Sequence, residues 1–417
     1  MQGATHHPVR RVLVLGSTGS IGRQTLQVLA HLNTLPAGDG PRYQVVGLAA
    51  GKDAALLAQQ ARDWGVHDVA LADESGASAL SGLRTLTGPS AALQLVERVE
   101  ADIVVAAIVG SAGLAPTLAA AARGRDVLLA NKEALVAAGP LMTRAAQASG
   151  AALLPIDSEH SALWQALGTL ATRPPVALGP QVSRLILTAS GGPFRDRTLA
   201  EVAGATVEQA LNHPTWRMGA KVTLDSATLT NKALELIEAH WLFGVDESRL
   251  AVVIHPQSIV HSLVEMADGS VLAQLGSADM RGPIQYALTS PHRAPASAAR
   301  LSLLGPDGRG LALDFRPACE ARFLPLALAR RVIRDGGTSG AIFASASEEA
   351  GALFLSGQVR FGDLPQLAAG AMDALGSGAL RDLADAQEAE RHARAWVRAR
   401  TGAPTPPANA KDAPCPT

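Results

Sequence analysis

The chain has two cysteines in 417 residues, Cys319 and Cys415, too few for a disulfide framework or a cysteine metal site. Their scarcity fits a reducing compartment. Neither sign of charge is in excess, with 36 Lys+Arg against 37 Asp+Glu. That balance argues against nucleic acid or a membrane surface as a partner. Aromatic residues are scarce at 3%, whereas the 40 glycines suit an α/β enzyme with glycine turns. No internal repeat of fixed period occurs. The opening residues MQGATHHPVRR carry no apolar signal core and no arginine-rich amphipathic leader, so a cytoplasmic location is expected. One uncharged stretch, Ile103 to Ala122, has the length of a bilayer span. Gly110, Ser111, Gly113 and Pro116 interrupt it, and it reads as a buried strand (Ile103 to Val109), a turn and an Ala-rich helix.

What is present has a rhythm. From Arg11 to about Ile156 the short apolar runs VLVLG, YQVVGLAA, DVALA, DIVVAAIVG, DVLLA and ALLPI alternate with helical segments. Such alternation requires crossover connections and a mostly parallel, doubly wound sheet. Beyond Asp157 the strands differ: AVVIHPQSIVHSLVEM and SVLAQLG, joined through Asp268 and Gly269, predict an antiparallel hairpin. Residues 290–310, rich in Pro, Ala and Gly, read as a connecting arm, and 320–400 carries helical periodicity. The expected α/β organisation is an N-terminal Rossmann-like nucleotide-binding domain over 1–156 and a central catalytic domain over 157–289. An arm over 290–315, a helical C-terminal domain over 316–400 and a disordered tail over 401–417 follow.

Six segments carry candidate chemistry. In VLVLGSTGSIG, Gly16, Gly19 and Gly22 between a strand and a helix allow close approach of a pyrophosphate to free helix N-terminal amides, although a mere packing turn has the same signature. After the second strand, Lys52 in LAAGKD favours the extra phosphate of NADP, while the neighbouring Asp53 keeps the NAD reading open. In LLPIDSEHSALW, the plain reading is an exposed strand end or a helix N-cap, while an extended segment would point Asp157 and Glu159 to one side, as a hard-cation site or as a hydrogen-bonded structural pair. DSATLTNKALELIEAHWLFG places Ser226 at a strand-to-helix turn and puts Asn231, Lys232 and Glu235 on one helical face, where a Lys–Glu surface pair is the plain alternative. Ser190, Gly191 and Gly192 in RLILTASGGPF form an anion-holding bend or a simple turn. NHPTWRMG, with His213, Trp216, Met218 and Gly219, reads as a lid or as a loop tucked on the core. His160, His255 and His261 read as hydrogen-bonded structural histidines, and Asp225 as a cap or turn residue.

Together GSTGSIG, AAIVGSAGL, LLANKEALV, PIDSEH, SGGPF, HPTWRMG, DSATLTNKALELIEAHWLF, HPQSIVHSLV and GSVLAQLG resemble the 1-deoxy-D-xylulose 5-phosphate reductoisomerase family over nearly the whole chain. The resemblance implies NADPH along Thr18, Gly19, Ser20 and Ile21, with Gly51 and Lys52 toward its adenosine phosphate. Asn131, Glu133 and Gly219 would lie beside its ribose and nicotinamide. It implies Mg²⁺, Mn²⁺ or Co²⁺ on Asp157, Glu159 and Glu235. The sugar-phosphate substrate would meet Lys132, Ser158 and Glu159 along its backbone, and Ser190, Ser226, Asn231 and Lys232 at its phosphate. His213, Trp216 and Met218 would close over it, and His213 joins Lys132, Asp157, Glu159 and Glu235 among the catalytic candidates. Lys132 and Glu159 are candidates for proton handling, with a purely positioning role for Lys132 left open. The implied reaction is a rearrangement by retro-aldol cleavage and re-addition, followed by hydride reduction to 2-C-methyl-D-erythritol 4-phosphate. A homodimer is implied by resemblance alone. IFASASEE departs from the family's LNAANE, with Ala344 and Ser347 in place of asparagines. Two rivals share the glycine loop: another NADP oxidoreductase of the semialdehyde or homoserine dehydrogenase type, and a non-catalytic NADP-binding sensor.

Overall fold

The structure, a computed structural model, describes residues 9–36, 40–214, 219–305 and 308–400. Seven strands make the first sheet: β1 (Val9–Leu15), β2 (Arg42–Ala50), β3 (Asp68–Leu71), β4 (Arg84–Thr87), β5 (Ile103–Ala106), β6 (Asp126–Leu129) and β7 (Leu153–Pro155). Their order is β4-β3-β2-β1-β5-β6-β7, and every neighbouring pair is parallel. A parallel sheet is covered on both faces, which is why Val12, Leu13, Val14, Ile103, Val104 and Val105 form unbroken apolar runs with no exposure. The order reverses between β1 and β5, so the crevice for a ligand opens at the carboxyl ends of these two strands.

Two details differ from expectation. The fifth strand stops at Ala106, and Val109 is exposed, because Gly110 turns the chain with a positive φ. β4, with sequence RTLT, was not anticipated: it is an edge strand of alternating polar residues, half-exposed, with no apolar run to mark it.

The second sheet comprises β8 (Val182–Ala189), β9 (Leu250–Ile254), β10 (Val260–Met266), β11 (Val271–Leu275) and β12 (Arg316–Pro317), in the order β11-β10-β8-β9-β12. Only β8 and β9 pair in parallel. The β10–β11 hairpin turns at Asp268 and Gly269 as expected, with Asp268 Oδ1 accepting from Ser270 N at 2.9 Å. The run AVVIHPQSIVHSLVEM is not one strand but β9 and β10, separated at Ser258, whose φ of 52° lies in the left-handed region. The helix Ser158–Leu167 packs on β10 and β11, so it belongs with this second layer.

Four longer helices, Leu324–Asp335, Ser339–Leu355, Leu364–Leu375 and Leu383–Arg398, form the C-terminal region. Gly340 lets the second of them touch the helix Lys132–Ser149 backbone to backbone, since a Cβ there would lie 2.1 Å from the Val136 carbonyl oxygen. Ala344 is buried on that same helix, where an asparagine side chain would need internal hydrogen-bond partners. On Leu383–Arg398, burial pushes Glu390 up to about 7, against the attraction of Arg394 and with the repulsion of Glu348. Its raised value means that the folded chain keeps a proton that the unfolded chain releases above about pH 4.3. Stability contributed by this site is therefore full at acid pH and declines as pH rises toward 7. Glu390→Gln is expected to flatten that decline and to add about 2 kcal/mol at pH 8, measured by urea unfolding at pH 5 and pH 8. An equal effect at both pH values would contradict it.

Candidate active site

At the β1 terminus the glycines of GSTGSIG are held by sterics. A Cβ on Gly16, whose φ is +83°, would lie 2.4 Å from the Ala107 carbonyl oxygen of the loop after β5. One on Gly22 would lie 2.3 Å from the Gly16 carbonyl oxygen. Both close approaches occur at the sheet's reversal point, and Gly19 caps the helix Ser20–Thr34, leaving that helix's first amides toward the crevice. Thr18, Ser20 and Ile21 belong to this turn. After β2, Gly51 and Lys52 are exposed, while Asp53 caps the helix Ala54–Trp64 by accepting from Leu56 N at 3.0 Å. With Asp53 engaged there, Lys52 is left as the residue facing solvent beside the crevice.

Asn131 and Glu133 are tied down by the protein itself. The Asn131 amide donates to the carbonyls of Ile108 (2.6 Å) and Gly110 (2.8 Å), and its Oδ1 accepts from Ala134 N at 3.0 Å. Glu133 is paired with Lys221, which also contacts Asp225 at 2.8 Å. Burial alone would raise Glu133, yet Lys221 outweighs it and holds the carboxyl below its usual range. Lys221 was not singled out from sequence. Asp225 is neither a cap nor a turn residue: it lies buried inside the helix Ala220–Thr228, and burial raises its carboxyl above the usual range despite Lys221.

The acidic residues converge, though not by the expected route. Asp157 is the N-cap of Ser158–Leu167, accepting from Ser158 N at 3.0 Å, and Glu159 stands in the first helical turn rather than on an extended segment. A helix start accounts for both carboxylates, since first-turn acids interact favourably with its free amides. Facing them, Asn231, Lys232 and Glu235 project from the helix Thr230–Phe243 on one face, as their spacing predicts. Ser226 lies not at a strand-to-helix turn but in the last helical turn of Ala220–Thr228. Leu229 joins these two helices in the left-handed region, at φ 59°. Asp157, Glu159 and Glu235 each offer an oxygen within 4.8 Å of the other two.

Two ammonium groups thread this acidic cluster. Lys132, at the start of Lys132–Ser149, contacts Asp157, Glu235 Oε1 (3.2 Å) and Asn231 Oδ1 (2.9 Å). Lys232 contacts Glu159 Oε1 (2.7 Å) and Glu235 Oε2. Burial alone would lower both lysines, but the attraction of the surrounding carboxylates outweighs it and raises both. Glu235 is fully buried and is pushed up to about 7, first by burial and then by repulsion from Glu159. Glu159 goes the other way: Lys232 and Lys132 overcome burial and hold it low. All-oxygen donors without cysteine suit a hard divalent cation, so the residues present fit Mg²⁺ or Mn²⁺.

Beside the acids lies an anion-compatible corner. His213 Nε2 stands 3.0 Å from Ser190 Oγ and 3.1 Å from Ser226 Oγ. Burial, then Arg195, holds this histidine below its usual value. Gly191 and Gly192 have φ of +80° and +65°, and a Cβ on Gly192 would lie 2.6 Å from the Ser226 carbonyl oxygen, so the bend can follow β8 only with glycine. Ser190, Ser226, Asn231 and Lys232 line the same cleft as Lys132, Asp157, Ser158, Glu159, His213 and Glu235. Its volume is about 100 Å³. Thr188, Ser258, His261 and Met280 also line it. None of these was assigned to the site from sequence. His160 and His255 bond main-chain carbonyls, as structural histidines do. Gly219 caps Ala220–Thr228, and Trp216 and Met218 lie outside the described residues.

Comparison with known proteins agrees over most of the chain. The family described as 1-deoxy-D-xylulose 5-phosphate reductoisomerase matches residues 12–139, and its two C-terminal domain descriptions match 153–243 and 275–396. A 1-deoxy-D-xylulose 5-phosphate reductoisomerase of Anaeromyxobacter dehalogenans is 44% identical over 403 residues, covering 95% of this chain and 98% of that one. The solved structure of the Zymomonas mobilis reductoisomerase in complex with NADPH aligns with a TM-score of 0.84 at 38% identity, covering 95% of this chain and 100% of that one. A DOX-P reductoisomerase solved with NADPH, fosmidomycin and magnesium aligns with a TM-score of 0.83 at 36% identity, covering 94% and 98%.

Proposed function

The chain belongs to the 1-deoxy-D-xylulose 5-phosphate reductoisomerase family, and from that premise we propose how its own residues divide the reaction among them. The protein is an NADPH- and divalent-metal-dependent enzyme that converts 1-deoxy-D-xylulose 5-phosphate to 2-C-methyl-D-erythritol 4-phosphate. When bound, the cation supplies charge stabilisation for the developing oxyanions, and NADPH supplies the hydride.

The remaining roles are this chain's. Asp157, Glu159 and Glu235 hold the cation, and the observation carrying that reading is their convergence within 4.8 Å from two different helices. Lys132, 2.9 Å from Asn231 Oδ1, faces the substrate's oxygens beside these carboxylates. Ser158 bonds Glu159 and fixes its carboxylate. Ser190, Ser226, Asn231, Lys232 and His213 take the phosphate, whose binding far from the reacting carbons positions them. The glycine turn from Gly16 to Gly22 holds the NADPH pyrophosphate, with Thr18, Gly19, Ser20 and Ile21 along it and Gly51 and Lys52 at the 2′-phosphate end. Asn131 and Glu133 act by pinning the loop after β5 and the helix Ala220–Thr228 around the nicotinamide side, and Gly219 borders the same side.

The organisation we infer is a nucleotide unit over 1–156, a catalytic unit over 157–289, an arm over 290–315 and a helical unit over 316–400. We further infer a cytoplasmic homodimer. Exposed Val271 and Leu272 on the edge strand β11 support a second copy, as do Leu303 and Leu304 on the arm. No described helix is long and apolar enough to cross a membrane.

The test is NADPH oxidation driven by 1-deoxy-D-xylulose 5-phosphate, followed by absorbance. Activity is expected to disappear with a chelator and to return with added Mg²⁺ or Mn²⁺. Undiminished turnover in chelator would end the metal assignment.

A further inference from the structure

Beneath the acidic cluster lies a second layer that the proposed reaction does not use. His160, one turn beyond Asp157 on Ser158–Leu167, has no exposure, and neither has Glu238, one turn beyond Glu235 on Thr230–Phe243. The His160 Nε2 lies 2.9 Å from the Glu235 main-chain carbonyl. A carbonyl only accepts, so Nε2 carries a proton and donates. Nδ1 then faces Glu238 Oε2 at 3.3 Å. Among the described residues neither Glu238 oxygen nor His160 Nδ1 has a hydrogen-bond partner, and all three atoms are buried. A bare ring nitrogen 3.3 Å from a bare carboxylate oxygen would be two acceptors in contact, with no room for a water between them. One proton must therefore lie between them, whichever atom carries it.

The consequence is mechanical. His160 is bonded through Nε2 to Thr230–Phe243, and its Nδ1 lies 3.3 Å from Glu238 of that same helix, while its own helix carries Asp157 and Glu159. We propose that Glu238 is a positioning residue of the cation site: by sharing a proton with His160 Nδ1 it fixes the ring that clamps the two ligand-bearing helices together, and so keeps Asp157 and Glu159 at ligand distance from Glu235. The inference rests on the reading of Asp157, Glu159 and Glu235 as the cation site. Asp157 Oδ2 is also 3.9 Å from His160 Nδ1, and Asp157, His160 and Glu238 could themselves surround an ion. The clamp is the better reading because His160 and Glu238 do not line the cleft, so an ion there would have no open side for exchange or substrate.

The experiment is titration of the full chain with Mn²⁺, followed by the electron paramagnetic resonance of free ion, with thermal melting and NADPH binding measured on the same samples. Wild type is expected to bind one Mn²⁺ per chain. Glu238→Gln is expected to stay within about threefold, since an amide both donates and accepts and keeps the bond to His160. Glu238→Leu is expected to weaken Mn²⁺ by about 10- to 100-fold with NADPH affinity unchanged. A lowered melting temperature in Glu238→Leu with unchanged Mn²⁺ affinity would overturn the proposal. So would a second Mn²⁺ per wild-type chain that Glu238→Gln removes, which makes Glu238 a ligand. Nitrogen-15 resonances of the wild-type His160 ring give a reading that needs no Glu238 variant: Nδ1 shifted by a shared proton is expected, and an unbonded acceptor Nδ1 overturns it. Mn²⁺ binding indifferent to Glu235→Gln would instead sink the underlying cation site, an outcome distinct from failure of Glu238 alone.

Discussion

Glu235→Gln is expected to abolish turnover, by at least about 10³-fold, while leaving the metal-free protein no less stable than the parent. The loss follows from removing one of three converging carboxylates. The stability follows from charge. Asp157, Glu159 and Glu235 outnumber Lys132 and Lys232 in the cleft, and burial pushes the Glu235 carboxyl up to about 7. Its folded-state value is raised, so the metal-free parent keeps that proton longer than the unfolded chain does, and the parent loses stability as pH climbs from about 4.3 toward 7. The neutral isostere removes that slope. Melting curves in chelator across this range, beside initial rates with Mg²⁺, check both halves. A variant that melts well below the parent at pH 8 would show that the Glu235 charge holds the cluster together rather than burdening it.

Lys132→Met is expected to move two quantities in opposite directions. The turnover number should fall by about 10²–10³-fold, because a buried, permanently charged donor beside the substrate oxygens is the kind of preorganised group whose removal has effects of that size. Affinity for Mn²⁺ should rise by about tenfold, because the Lys132 ammonium competes with any cation for Asp157 and Glu235. Steady-state kinetics and Mn²⁺ titration of one preparation measure both. Weaker metal binding would mean that Lys132 orders the carboxylates instead of competing for them.

The glycine turn and the parallel sheet were legible because each strand in this region announces itself as an apolar run closed by a turn residue. β4 was not, since an edge strand of Arg, Thr, Leu and Thr buries too little to leave a pattern. The identity of Asp157 and Glu159 as partners was legible, but the geometry behind it was not. A strand period of two and a helix start both bring such residues near one point, and only the cap bond of Asp157 separates the cases. Lys221 escaped notice because its meaning lies in Glu133, 88 residues away in sequence. His160 was placed correctly as a hydrogen-bonded residue, yet nothing local reveals that its acceptor is the main chain of Glu235.

Leu229 carries a last consequence. A side chain in the left-handed region, with Thr228 and Thr230 hydroxyls joined at 2.8 Å across it, makes a stiff elbow between Ala220–Thr228 and Thr230–Phe243. Ser226 lies just before that elbow, and Asn231, Lys232 and Glu235 just after it. On the proposed division, with Ser226, Asn231 and Lys232 at the phosphate and Glu235 at the cation, the two grips move as one casting. A substrate shorter or longer by one carbon is then expected to turn over poorly, because neither grip slides relative to the other and the backbone gauges length as a fixed-jaw calliper gauges width.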